Sequence, residues 1–242
     1  GQDVLLGRVF ALLAAALGDA VANRKLSDLG LTAQDAVNLK QKSRFSSFLT
    51  TVSKVLGVPL PTVYRDVNER GLRKVALGPL SLVAGPDVLT GRKGKELRFS
   101  LGKAMAYFLP AHLLAGIFPA GHMRTLLIAG MSTVLPESTQ GGEPGVKGIQ
   151  KQLEASLSET AKKELRALVV ELTEREVSPY LNEWLRHVEM TANHAGHLLC
   201  NDLEVSVRML KEERETGHSW SKLCLKDAIS ELALYTVSKP FL

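Results

Sequence analysis

A chain of 242 residues, 45% hydrophobic and 23% charged, holds enough apolar material for a sizeable buried core, which excludes an extensively disordered protein. Lys and Arg number 30 against 25 Asp and Glu, a formal +5 spread without a dense basic block; with aromatics at only 5%, a nucleic-acid interface is not expected. The two cysteines, Cys200 and Cys224, make neither a disulfide framework nor a CxxC metal pair, and a reducing, cytoplasmic setting is expected.

The chain opens GQDVLLGRVF without a methionine, which predicts a piece excised from a longer protein. Apolar periodicity predicts helices over 3–23, 33–41 and 43–56, the last stopping at Gly57 before VPLP. Segment 4–22 is strongly apolar, but Arg8 and Asp19 interrupt it and no basic region precedes it. It reads as a buried helix, and membrane contact is not expected. PTVYRDVN (61–68), LRKVAL (72–77) and LSLVAG (80–85) are short, rich in β-branched and aliphatic residues, and punctuated by Gly or Pro, as strands of a small sheet are.

Helical pattern returns after Pro86, over 94–109, 119–134, 148–174, 178–200, 202–214 and 220–237. The apolar run 108–131 carries Pro110, Pro119, His112, His122 and Arg124, which suit a turn and a core helix better than a lipid span. PESTQGGEPGVKG (136–148) reads as a surface loop within one domain, 1–242. The expected fold is α+β, predominantly helical with a small sheet.

Familiar catalytic signatures are missing: there is no GxSxG, GxxxxGK[ST] or GxGxxG. Ser219 beside His218 is adjacency in sequence only, and KEERE (211–215) reads as the solvated face of a helix. Trp184 and Trp220 read as seals at a core edge. His187, His194 and His197, with Cys200 one turn on, form a broad stripe on one helix. They leave open a metal-dependent hydrolase with reassigned ligands, although one helix can aim at most two of them at one ion.

Four segments occur in a telling order: VLGVPLPTVYRDVN (55–68), LVAGPDVLTGRKGKEL (82–97), ELRFSLGKAMAYF (96–108) and EMTANHAG (189–196). Over roughly residues 50–215 they resemble the entry strand, sheet edge, HExxH helix and ExxAD helix of the HtpX-like and Oma-type gluzincin metallopeptidases. In those enzymes HExxH puts two histidine ligands on one helix face, with a glutamate beside the metal-bound water as general base. The resemblance implies a zincin-like core over 51–215, an N-terminal helical extension over 1–50 and a C-terminal helix over 216–242. It puts the first histidine at Lys103, the glutamate at Ala104 and the second histidine at Tyr107. The third ligand falls on Glu189, and the aspartate that orients a ligand histidine on Asn193.

Lysine brings donors only, alanine accepts no proton from water, and neutral tyrosine is a weak zinc ligand. The implied protein is therefore a pseudo-peptidase: not an enzyme, without metal or cofactor, serving as a protein–protein interaction or scaffolding module of a larger bacterial helical-repeat protein. Its implied peptide-groove edge is Val83, Ala84 and Gly85. In one reading Lys103 and Glu189 meet where the metal used to be; in the other Lys103 reaches solvent and Glu189 pairs with Arg186 or a surface lysine. A membrane-surface adaptor acting through 4–22 is a further alternative.

Overall fold

The computed structural model describes residues 4–18, 24–78, 81–136, 144–173, 177–215 and 223–238. In chain order they form α1 (Val4–Leu17), α2 (Arg44–Leu56), β1 (Thr62–Arg65), β2 (Leu72–Val75), β3 (Ser81–Ala84), α3 (Gly94–Ala106), α4 (Leu113–Ile117), α5 (Ala120–Val134), α6 (Pro144–Ser156), α7 (Glu159–Thr173), α8 (Val177–Cys200), α9 (Leu203–Glu215) and α10 (Leu225–Thr236). The fold is mixed α+β, predominantly helical, with one three-stranded sheet. Contacts divide the chain into two compact units, one of Gly1–Val21 and Pro110–Val188, the other of Ala22–Leu109 and Glu189–Leu242.

Among the described residues, the regular elements of the first unit are all helices. α1 buries Leu6, Val9, Phe10 and Leu13 completely, and Phe10 packs on Trp184 with ring centroids 4.8 Å apart. α5 and α7 supply Met123, Leu126, Leu127, Leu165, Val169 and Leu172 to this core. Each such side chain, taken from water, contributes about 1.5–3 kcal/mol, which is why an apolar segment near the start of the chain needs no lipid. Among the described residues no helix is long and apolar enough to cross a membrane.

The second unit carries the sheet, in order β1-β3-β2, with β1 parallel and β2 antiparallel to β3. All four residues of β3 are buried, as befits a central strand. Its partners on one face include Val75, Leu77 and Leu31. β1 is covered on its outer side: Ala36 bridges Tyr64, and Val37 donates its N–H to the Val63 carbonyl at 2.7 Å. Phe99, Cys200, Met209, Leu210, Ala228 and Leu232 form a second core where α3, α8, α9 and α10 meet.

α3 and the last part of α8 cross in direct backbone contact through two glycines. A Cβ on Gly102 would stand 2.9 Å from the Ala195 carbonyl oxygen, and one on Gly196 would stand 2.8 Å from that of Phe99. α8 ends at Asn201, which takes the left-handed conformation (φ 50°) and donates back to His197 O at 2.7 Å. Asp202 then caps α9 by accepting from Val205 N at 3.0 Å.

Three expected elements differ. The helix over 33–41 is only a 3-10 turn at Ala33–Asp35, because the Asp35 carboxylate draws in Thr32 N at 2.8 Å and the next residues run extended beside β1. The helix over 148–174 is two, α6 and α7, broken where Ser158 Oγ accepts from Ala161 N at 3.2 Å. The third is a matter of topology: Val83 and Ala84 were expected at a sheet edge with Gly85, yet β3 is paired on both sides. Gly85 itself lies against the Glu69 carbonyl, 2.2 Å from where a Cβ would be, so its Cα side is covered by this chain's own backbone. Of the loop over 136–148, only Pro136 and the residues from Pro144 belong to the described chain, and these open α6.

Candidate functional site

Lys103 and Tyr107 are four residues apart and so share a face of α3, with Ala104 beside them. This face looks onto β2 and α9. Lys103 is 5% exposed, and its ammonium pairs with the Glu213 carboxylate of α9. Lys74 of β2 lies across from Leu82 in the ladder, and its Nζ sits 4.0 Å from the centroid of the Tyr107 ring. A cation over an aromatic face gains part of what it loses on leaving water.

Glu189 is 4% exposed and accepts from Leu223 N at 3.2 Å and from Arg214 Nη2 at 3.4 Å. Arg214 also donates to the Leu223 carbonyl, so one guanidinium ties the α8 carboxylate to the segment entering α10. Lys74, Lys103, Glu189, Glu213 and Arg214 thus form one group of charges around Tyr107, in which each acid has a cation.

The electrostatics follow from that arrangement. Burial pushes the Lys74 ammonium down, nearby Glu213 resists and Lys103 adds to the fall, leaving it at about 8. Burial, then the negative charges of Glu189 and Glu213, hold the Tyr107 hydroxyl well above its usual range, so it is a neutral phenol at any physiological pH. Burial pushes the Glu213 carboxyl up, but Lys103 and Lys74 outweigh it and the net direction is down. Ala104, next to Lys103 on α3, carries no group that could take a proton from water.

Of the sequence candidates, Lys103, Tyr107 and Glu189 therefore share a neighbourhood, but Lys103 and Glu189 each have a different principal partner. Neither expected outcome describes this: Lys103 is not at the surface, and Glu189 pairs with Arg214. Asn193 is fully buried one turn beyond Glu189, and neither end of its amide makes a hydrogen bond to a described residue.

The histidine stripe goes in separate directions. His194 Nε2 lies 2.8 Å from both carboxylate oxygens of Glu231, with its ring stacked on Tyr235. His197 Nδ1 lies 2.9 Å from Ser206 Oγ, whose own proton goes to the Asp202 carbonyl; Nδ1 must then be the donor. Burial, and then His194, lower the pKa of His197. Burial also raises that of the Cys200 thiol, which points at Asp202 O. His187 belongs to the other unit. Among the described residues no group of three His, Cys, Asp or Glu side chains is placed to hold a metal ion. His218, Ser219 and Trp220 lie outside the described residues.

Sequence reading missed Lys74, Glu213 and Arg214. A signal existed for the last two: Ser206, Met209 and Leu210 are buried, and continuing that period by three or four residues reaches 213 and 214.

A cavity of about 50 Å³ opens between β2, α3 and α9, lined by Arg70, Lys74, Arg92, Ser100, Lys103 and Glu213 among others. Above it runs the outer side of β2. Gly85 N donates to Gly71 O, which makes Gly71 and Gly85 a hydrogen-bonded pair of the antiparallel ladder. By alternation Arg73 also faces β3, while the backbone groups of Leu72 and Lys74 point away from it. No described residue bonds to them.

Comparisons with protein-family models, with curated proteins and with solved structures find no match to this chain.

Proposed function

We propose that this chain is a catalytically silent, zincin-like domain, a pseudo-peptidase, that acts as a protein-interaction module and takes an extended partner segment along the outer side of β2. The observation that carries the reading is the row of outward backbone groups at Leu72 and Lys74, without partners among the described residues, beside the Lys103 and Tyr107 face. An exposed row of donors and acceptors is a template for one more strand. The expected groove moves from β3 to β2, on the other side of the same ladder.

Support for silence comes from the chemistry of the side chains. Lys103 and Tyr107 stand at the histidine positions of the resemblance, Ala104 at that of the general base, and Glu189 is engaged by Arg214 and Leu223 N. Two helices crossing through Gly102 and Gly196 beside a small sheet agree with a scaffold that outlived its metal.

The test uses the intact chain and Leu72→Pro, which removes an outward N–H that makes no ladder bond. Extended peptides should bind the parent chain and not the variant, with the fold checked by circular dichroism. Zinc-reloaded protein should neither hold stoichiometric metal nor cleave peptides. Cleavage with bound metal, or equal peptide binding by the proline variant, would sink the proposal.

A further inference from the structure

Four cations and a single carboxylate are among the side chains that line the cavity beneath β2: Arg70, Lys74, Arg92 and Lys103 against Glu213. Two of the cations are occupied. Lys103 is paired with Glu213, and Arg92 binds Asp87 at 3.1 Å, reaches Glu212 at 3.7 Å and donates to Ser100 Oγ at 2.6 Å. The side chains of Arg70 and Lys74 have no hydrogen bond or ion pair to a described residue, and the Lys74 ammonium rests on the Tyr107 ring. A half-buried ammonium set beside a second one, without an acid of its own, is held at a cost that an arriving anion would relieve.

Resting on the strand-docking reading above, we propose that this cavity is a subsite for a carboxylate carried by the docked segment, held by Lys74 Nζ and the Arg70 guanidinium. The cavity has room for a carboxylate. The position fits as well, because Lys74 has its backbone in the open row of β2 and its ammonium in the cavity, so a residue hydrogen-bonded there would have its side chain or chain terminus within reach. Glu213 would stay with Lys103, and Tyr107, a neutral phenol, would stay beneath Lys74.

The experiment follows lysine side-chain NMR of the intact chain labelled at Cε, the Lys74 signal being the one missing from Lys74→Met. Sodium acetate, against sodium chloride at equal ionic strength, should shift that signal saturably and raise its titration midpoint from about 8. In parallel, an extended peptide with a central glutamate is compared with its glutamine version, and a free C-terminus with an amidated one. Loss of the carboxylate should weaken binding by about tenfold, and Lys74→Met should erase the difference. Whichever pair shows the effect tells a side chain from a terminus. If glutamate and glutamine peptides bind alike and acetate leaves Lys74 unmoved, the subsite is wrong although strand docking survives. If acetate acts on Lys74 but no peptide binds, the subsite stands and strand docking falls.

Discussion

Gly102 and Gly196 bring two helices together so closely that a Cβ on Gly102 would stand 3.0 Å from Gly196 Cα. Alanine in a helix ordinarily gains about 0.5–1 kcal/mol over glycine. Here overlap with the Ala195 carbonyl, 2.9 Å from the new methyl, outweighs that gain, since backbone cannot turn aside as the Leu199 side chain can. Gly102→Ala should lower stability by about 1–3 kcal/mol in urea melts, whereas Gly121→Ala, with nothing within 4 Å, should be neutral or stabilising.

Lys103 is far more buried than its partner, whose side chain is 32% exposed. Lys103→Met takes from Glu213 its hydrogen-bonded cation and leaves it the more distant charges of Lys74 and Arg214, a loss of about 1–3 kcal/mol. The double change with Glu213→Leu should cost less than Lys103→Met alone, a result that a double-mutant cycle by chemical denaturation measures directly. Because the Glu213 carboxyl is lowered on folding, its contribution is present above the ordinary carboxylate range and is lost as pH falls through its folded value. The acid limb of the stability profile should therefore flatten in Glu213→Gln.

Lys74 acts in the opposite pH range. Its folded pKa of about 8 lies below that of a free lysine, so the unfolded chain binds more protons between about 8 and 10.5. Stability should rise with pH across that window as the ammonium is discharged. Lys74→Met should be more stable than the parent at pH 7, by about 1 kcal/mol after allowing for partial exposure, and the advantage should fade by about pH 10. Thermal melts in matched buffers check both.

Installing the metallopeptidase residues tests the proposed ancestry. The triple change Lys103→His, Ala104→Glu and Tyr107→His places two imidazoles four residues apart on α3, with Glu189 on α8 close by. Stoichiometric zinc, removable by chelator, is the expected outcome. A folded triple variant without zinc would say that α3 and α8 never shared a metal.

Much of this was readable in the residues, for identifiable reasons. α8 and α9 follow long apolar periods, and the strands follow β-branched runs between glycines, so local chemistry and tertiary context agreed. The turn at 33–35 and the break at 157–158 depended on single side chains, Asp35 and Ser158, that redirect nearby backbone donors. Strand order was beyond local reading, since LSLVAG looks the same at a margin as in the middle. The site was half legible. Motif spacing located Lys103, Tyr107 and Glu189, while Glu213 and Arg214 were hidden in a run of charges whose inward members only the period betrays.

The strap formed by Ala36 and Val37 has a bearing on how copies of this chain can associate. With one margin of the sheet closed and the other open, two molecules can join margin to margin about a twofold axis and then present no open margin of this sheet among the described residues. Such a lopsided ladder suits a closed pair better than a fibre grown through its sheet.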